Sequence, residues 1–211
     1  MALRMGMESG SDRILELMKK DAKVDSIIKA VTQCEKYGIM PVGNFMIGFP
    51  TETKEEMLET AKLVLHLKQI SPNGLFYSPG LLRPYPGTEM YEIAKHHGGM
   101  EEPTTLQGWA DRKIDVGLFS NPRDLYWITD PEWVVNFQVY LYITTIYLTH
   151  RWANKKLSLP WRIVGGIANY RINNNLWLLS IEPKILIQYK KIMDGDGKLS
   201  KLLKKISGYN V

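Results

Sequence analysis

Val42-Gly43-Asn44-Phe45-Met46-Ile47-Gly48-Phe49-Pro50-Thr51-Glu52-Thr53 reads as a buried strand that stops at a glycine and turns into a helix. Thr53, with Glu56 three residues on, makes a capping box ahead of the apolar series Met57, Thr60, Ala61, Val64 and Leu65. A glycine at the carboxyl end of a strand lets backbone approach a flat ligand with no side chain in the way. In parallel α/β folds, open or closed, ligands bind beyond the carboxyl ends of the strands. The stretch therefore predicts a binding site, and its neighbours define the fold around it.

Those neighbours repeat the pattern. Residues 3–7 form a short apolar strand ending in Glu8-Ser9-Gly10-Ser11, followed by a helix over 12–19 with Ile14, Leu15 and Met18 on one face. A helix over 26–37 starts at Asp25 as N-cap and stops at Gly38. The strand over 39–49 and a helix over 54–68 come next, then a strand over 75–82 ending in Arg83-Pro84-Tyr85-Pro86-Gly87-Thr88 and a helix over 89–96 capped by Thr88. Strand and helix alternate three times, the signature of parallel β/α units joined by helical crossovers.

The 211 residues allow one large domain or two small ones, with 45% hydrophobic and 23% charged residues typical of a globular chain. A single cysteine, Cys34, excludes a disulfide framework and a cysteine-rich metal site, and points to a reducing compartment. No apolar leader opens the chain. Residues 133–211 carry 12 Lys or Arg against 3 Asp or Glu, leaving 15 against 19 before them. Five of the six tryptophans, Trp127, Trp133, Trp152, Trp161 and Trp177, follow the β/α rhythm. A Gly- and Pro-containing region over 100–125 separates an α/β part, residues 1–110, from a basic, Trp-rich, mainly helical part, residues 111–211. Three parallel strands leave an open edge and close no barrel, so the chain is expected to be a piece of a larger or split protein.

Together the three strand ends resemble radical S-adenosylmethionine (SAM) enzymes. The segments Gly6-Met7-Glu8-Ser9-Gly10-Ser11, Gly43 through Thr53 and Arg83-Pro84-Tyr85-Pro86-Gly87-Thr88 occur in that family's order and spacing. The resemblance covers residues 1–100 and is strongest to the branch with an N-terminal cobalamin-binding domain, which includes anaerobic magnesium-protoporphyrin ester cyclase-like proteins and methyltransferases. It implies the C-terminal half of a partial TIM-like (β/α) barrel, a fragment of about three parallel strands. The family's Cys-x-x-x-Cys-x-x-Cys loop, which holds a 4Fe-4S cluster, has no counterpart here. Cys34, in the helical series Ile27, Ile28, Val31, reads as a buried apolar residue. The resemblance thus implies that the cluster, and any cobalamin, come from a missing N-terminal half, that this chain supplies SAM contacts, and that alone it is not catalytic and carries no metal ligand.

The resemblance assigns Glu8 to SAM through its ribose hydroxyls or methionyl amino group, where an ionised carboxylate accepts hydrogen bonds. A helix-start carboxylate facing the dipole is the structural alternative. Ser9 is a weaker contact or a cap. Lys20, twelve residues after Glu8, is the cation for the methionyl carboxylate, in competition with Lys19. Asn44 either contacts the ribose diol or makes a cross-strand hydrogen bond. It shares a strand face with Gly48, four residues on, provided Gly48 faces inward. Ile47, Gly48 and Phe49 resemble the segment laid along adenine, and Glu52 orders the turn. Arg83 either binds a carboxylate on the side of a small-molecule substrate or holds a neighbouring loop, and Tyr85 lines that substrate side. His66, His96 and His97 read as helix-surface residues.

Two features of the second part are misleading. The apolar run over 133–148 has 16 residues, short of the roughly 20 that span a bilayer, and includes Asn136, Gln138, Thr144 and Thr145. It reads as a buried or membrane-surface helix. Asp194-Gly195-Asp196-Gly197-Lys198-Leu199 imitates a calcium loop, but Leu203 stands where the closing carboxylate belongs. The lysines 198, 201, 204 and 205 with Leu199, Leu202, Leu203 and Ile206 form an amphipathic tail, with no nucleic-acid fold signature beside it. The expectation is a cytoplasmic enzyme piece, peripheral at a membrane if the basic part binds one. The rival is a non-catalytic module that contacts a membrane surface or partner protein.

Overall fold

The computed structural model describes residues 1–77, 79–98, 102–111, 122–152 and 159–176. The calcium-loop imitation and the basic tail lie outside them. The order is β1 (Ala2–Glu8), α1 (Asp12–Leu17), α2 (Val24–Lys36), β2 (Met40–Ile47), α3 (Lys54–Ile70), β3 (Leu75–Phe76), β4 (Gly80–Leu81), α4 (Glu89–Gly98), α5 (Leu106–Asp111), a 3-10 turn (Pro122–Asp124), α6 (Pro131–Trp152) and α7 (Leu159–Asn174).

The sheet is parallel, with β2 central. β1 pairs with it from Ala2↔Met40 to Gly6↔Asn44, and the register slips at Glu8. The expected third strand is split in two. Val42 faces Leu75 and Gly43 faces Phe76, but Met46 faces Gly80, so one extra residue is accommodated between β3 and β4. Pro79 lies in that gap and offers no N–H to a ladder. The N-cap of α2 is Lys23, two residues earlier than expected, because the Asp12 carboxylate accepts from Val24 N–H at 2.8 Å. Gly38, at φ +66°, ends that helix as expected. At α3 the capping box is present: the Thr53 hydroxyl accepts from Glu56 N–H, and the Glu56 carboxylate accepts from Thr53 N–H.

Alternation along the strands makes two unlike faces. Met7, Phe45 and Phe76 point to one side and pack with Leu15, Ile27, Val31, Leu63, Val64 and Leu67 of the covering helices. Cys34 is buried on the same helix as Val31. The other face is open: Arg4, Gly6 and Tyr77 are exposed and Asn44 and Met46 half-buried, with the Arg4 guanidinium 5.9 Å from the Tyr77 ring centre.

The apolar run of the second part lies within α6. Val134, Val135, Phe137, Val139, Tyr140, Leu141 and Ile143 are buried there. They form one cluster with Ile47, Met57, Leu58, Ala61, Leu65 and Leu81 of the β/α layer, and with Ala168 and Ile172 of α7. Among the described residues no helix is long and apolar enough to cross a membrane.

Candidate functional site

Two turns follow the carboxyl ends of β1 and β2, and side chains from α1 and α3 hold each in place. In the first, Glu8 adopts φ +60°. The Ser9 hydroxyl lies 3.2 Å from that of Thr60 on α3 and accepts from Ser11 N–H, while Gly10 N–H donates to Thr60 Oγ1 at 2.8 Å. A Cβ on Gly10 would stand 2.6 Å from the α3 backbone, so glycine permits this close approach. In the second turn Gly48 adopts φ +79°, and Glu52 Oε2 accepts from Gly48 N–H at 2.6 Å and Phe49 N–H at 3.0 Å. Burial pushes the Glu52 carboxyl up to about 8, against the opposing pull of those two amides. Its Oε1 has no hydrogen-bond partner among the described residues.

Arg13 joins the turns. Its Nε and Nη2 each donate to the Glu56 carboxylate at 2.7 Å, and Nη2 donates to Thr51 C=O at 2.9 Å. Ser11 Oγ donates to the same carboxylate at 3.0 Å. These bonds, Arg13 foremost, hold the Glu56 carboxyl down at about 2. From the second part, Trp127 Nε1 donates to Gly48 C=O at 2.7 Å.

On the open face the structure brings together Glu8, Lys20 and Asn44. Lys20 Nζ donates to Glu8 Oε1 at 3.3 Å. Both charges lie over Gly6, whose missing side chain leaves room for them, and Gly6 is the register partner of Asn44. Lys19 instead pairs with Glu89 at the start of α4. The remaining candidates sit elsewhere. Ser9 is fully buried against α3, its hydroxyl engaged by Thr60 and Ser11. Ile47 points to the helix-covered side. Gly48 does not share Asn44's face: a Cβ there would meet Ile128 at 2.9 Å and Leu81 at 3.5 Å, on the covered side. Phe49 is buried with Ile14 and Leu82, against Met46, Met18 and Met90, making an apolar wall beside the open face. Arg83 and Tyr85 are exposed beyond β4.

The sequence reading missed Arg13, Trp127 and Ile128. Arg13 and its partner Glu56 are 43 residues apart, and Trp127 is 79 from Gly48, so no local spacing signals either contact.

Residues 2–64 match the model of the Radical SAM superfamily. This part of the chain is similar to that superfamily. An uncharacterised methyltransferase of Pyrococcus horikoshii is 38% identical over 89 residues, 42% of this chain and 18% of that protein. A putative methylthiotransferase of Methanocaldococcus jannaschii is 31% identical over 88 residues, again 42% of this chain and 18% of that protein. The tRNA-2-methylthio-N(6)-dimethylallyladenosine synthase of Paracoccus denitrificans is 30% identical over 136 residues, 57% of this chain and 29% of that protein. The matches thus span between about a fifth and a third of these relatives.

The superfamily implies SAM and a 4Fe-4S cluster, and this chain's residues fit only the first. SAM ends in an amino acid zwitterion, and the Glu8–Lys20 pair offers one carboxylate to the ammonium and one ammonium to the carboxylate. A cubane needs several thiolates, and the chain has one cysteine, buried on α2.

Proposed function

We propose that this chain supplies the SAM-binding part of a radical SAM enzyme, with residues 1–110 as a barrel portion against which α6 and α7 of the second part pack. The observation that carries the reading is the convergence of Glu8, Lys20 and Asn44 on one open face. Glu8 and Lys20 take the amino acid end of SAM, Asn44 the ribose, and the wall of Met46 and Phe49 the adenine. Glu52 holds the turn that carries Phe49 and does not touch the cofactor. Arg83 and Tyr85 stand on the side where a small-molecule substrate enters.

A 4Fe-4S cluster supplies the electron that cleaves SAM in this superfamily, and one thiol cannot hold it. We therefore place the cluster on a separate segment docked against the open face. A cobalamin, if the reaction relays a methyl group, belongs there too. The names of the relatives favour methyl or methylthio transfer over cyclisation. A reducing, cytoplasmic setting suits such chemistry. This chain's own contribution is to bind, orient and exclude water.

Calorimetry with SAM tests the site. Glu8→Gln and Lys20→Met should each weaken binding by about 1–3 kcal/mol, roughly five- to 150-fold, because each leaves one end of the zwitterion unpaired. Binding unaffected by both substitutions sinks the assignment.

A further inference from the structure

The turn after β2 is held from behind by a strap that the superfamily match does not include. Residues 125–130 connect the 3-10 turn to α6. Leu125 and Trp127 are fully buried, and the Trp127 indole donates to Gly48 C=O at 2.7 Å. Gly48 N–H is already given to Glu52, so both backbone polar groups of this left-handed residue are committed. Ile128 closes against its Cα from the covered side.

The strap is anchored again six residues further along the same turn. Asp130 Oδ2 accepts from Lys54 Nζ at 2.6 Å, at the first residue of α3, and Asp130 Oδ1 accepts from Trp133 N–H at the start of α6. Lys54 Nζ also lies 5.1 Å from the Trp133 ring centre. Residues 48 and 54, the two ends of the turn, are thus both tied to one short segment whose position is set by α6. What the turn presents on its other side is the Phe49 wall.

We propose that Trp127 is a positioning residue for the cofactor turn: its indole N–H fixes the Gly48 carbonyl, so the α6-borne strap sets the shape of the strand end that takes the adenosyl group. The proposal rests on the SAM reading above. A peptide plane at φ +79° with no side chain has more freedom than any other, and an indole donor in a dry site removes it. The second part of the chain thereby governs cofactor affinity without touching cofactor.

The test uses the whole chain and two variants. Trp127→Phe keeps most of the ring and removes the N–H. Asp130→Asn keeps the acceptor for Trp133 and removes the charge facing Lys54. In Trp127→Phe, amide exchange at Gly48 and Phe49 should rise about tenfold while β1 and α2 amides hold their rates. SAM affinity should fall about fivefold, and Asp130→Asn should show the same pattern more weakly. Unchanged exchange at the turn overturns the proposal, and so does an equal rise across β1 and α2. If Trp127→Phe does not fold, Asp130→Asn decides alone. A wild-type chain that binds no SAM overturns the cofactor reading, whereas the exchange pattern judges Trp127 by itself.

Discussion

Glu52 and Glu56 lie four residues apart, and their carboxyls are displaced from the usual range in opposite directions. The Glu52 carboxyl is pushed from about 4.5 up to about 8 by burial, so the folded protein keeps a proton that the unfolded chain has released. Its contribution to stability is full below about pH 4.5 and is lost as pH rises to about 8. Glu56 is held down to about 2 by Arg13, so its contribution is present above about pH 4.5 and lost as pH falls toward 2. Stability measured by denaturant titration should therefore peak near about pH 5 and decline on both sides. Glu52→Gln keeps an acceptor for Gly48 and Phe49 without the buried charge. It should flatten the alkaline arm and leave the acid arm; an unchanged alkaline arm would show that Glu52 is not its source. The turn-ordering role of Glu52 was legible from its position after Gly-x-Pro. Its burial was not, because burial comes from tertiary packing, which no local spacing signals.

The elements follow local rules wherever hydrogen bonds are local. The capping box of α3, the Gly38 stop and the Thr88 cap, whose hydroxyl accepts from Tyr91 N–H, all stand where the residue types placed them. Thr53→Ala should cost about 1 kcal/mol in equilibrium unfolding, the usual loss for a helix cap. Gly10→Ala should cost more, about 1–3 kcal/mol, because the 2.6 Å neighbour is α3 backbone and a whole helix must give way. Equal losses would mean that α3 yields freely at Thr60. The third strand departed from expectation for a reason its composition contains: Pro79 cannot donate to β2, and the ladder resumes one residue late. The N-cap of α2 departed for a reason that lies elsewhere, in the Asp12 carboxylate.

Across the whole molecule, the largest hydrophobic cluster draws from both parts of the chain. Ile47, Leu58, Leu65 and Leu81 are buried against α6, so a chain ending at residue 111 would expose them. Such a truncation should lose cooperative thermal unfolding, since several fully buried side chains each contribute about 1.5–3 kcal/mol. A truncated chain that melts at the full-length temperature would show that the β/α layer needs no support from α6. The sequence by itself determined the parallel β/α order, the caps of α3 and α4, the Gly38 stop, the two strand-end turns and the superfamily they resemble, because each depends on periodicity and on hydrogen bonds within a few residues. Only the tertiary structure decided which way those turns face. Side-chain direction at an irregular strand end, after a bulge at Glu8 or a left-handed Gly48, no longer follows alternation. It is set by whatever packs there: Thr60 behind Ser9, Lys20 over Gly6, and Trp127 against Gly48.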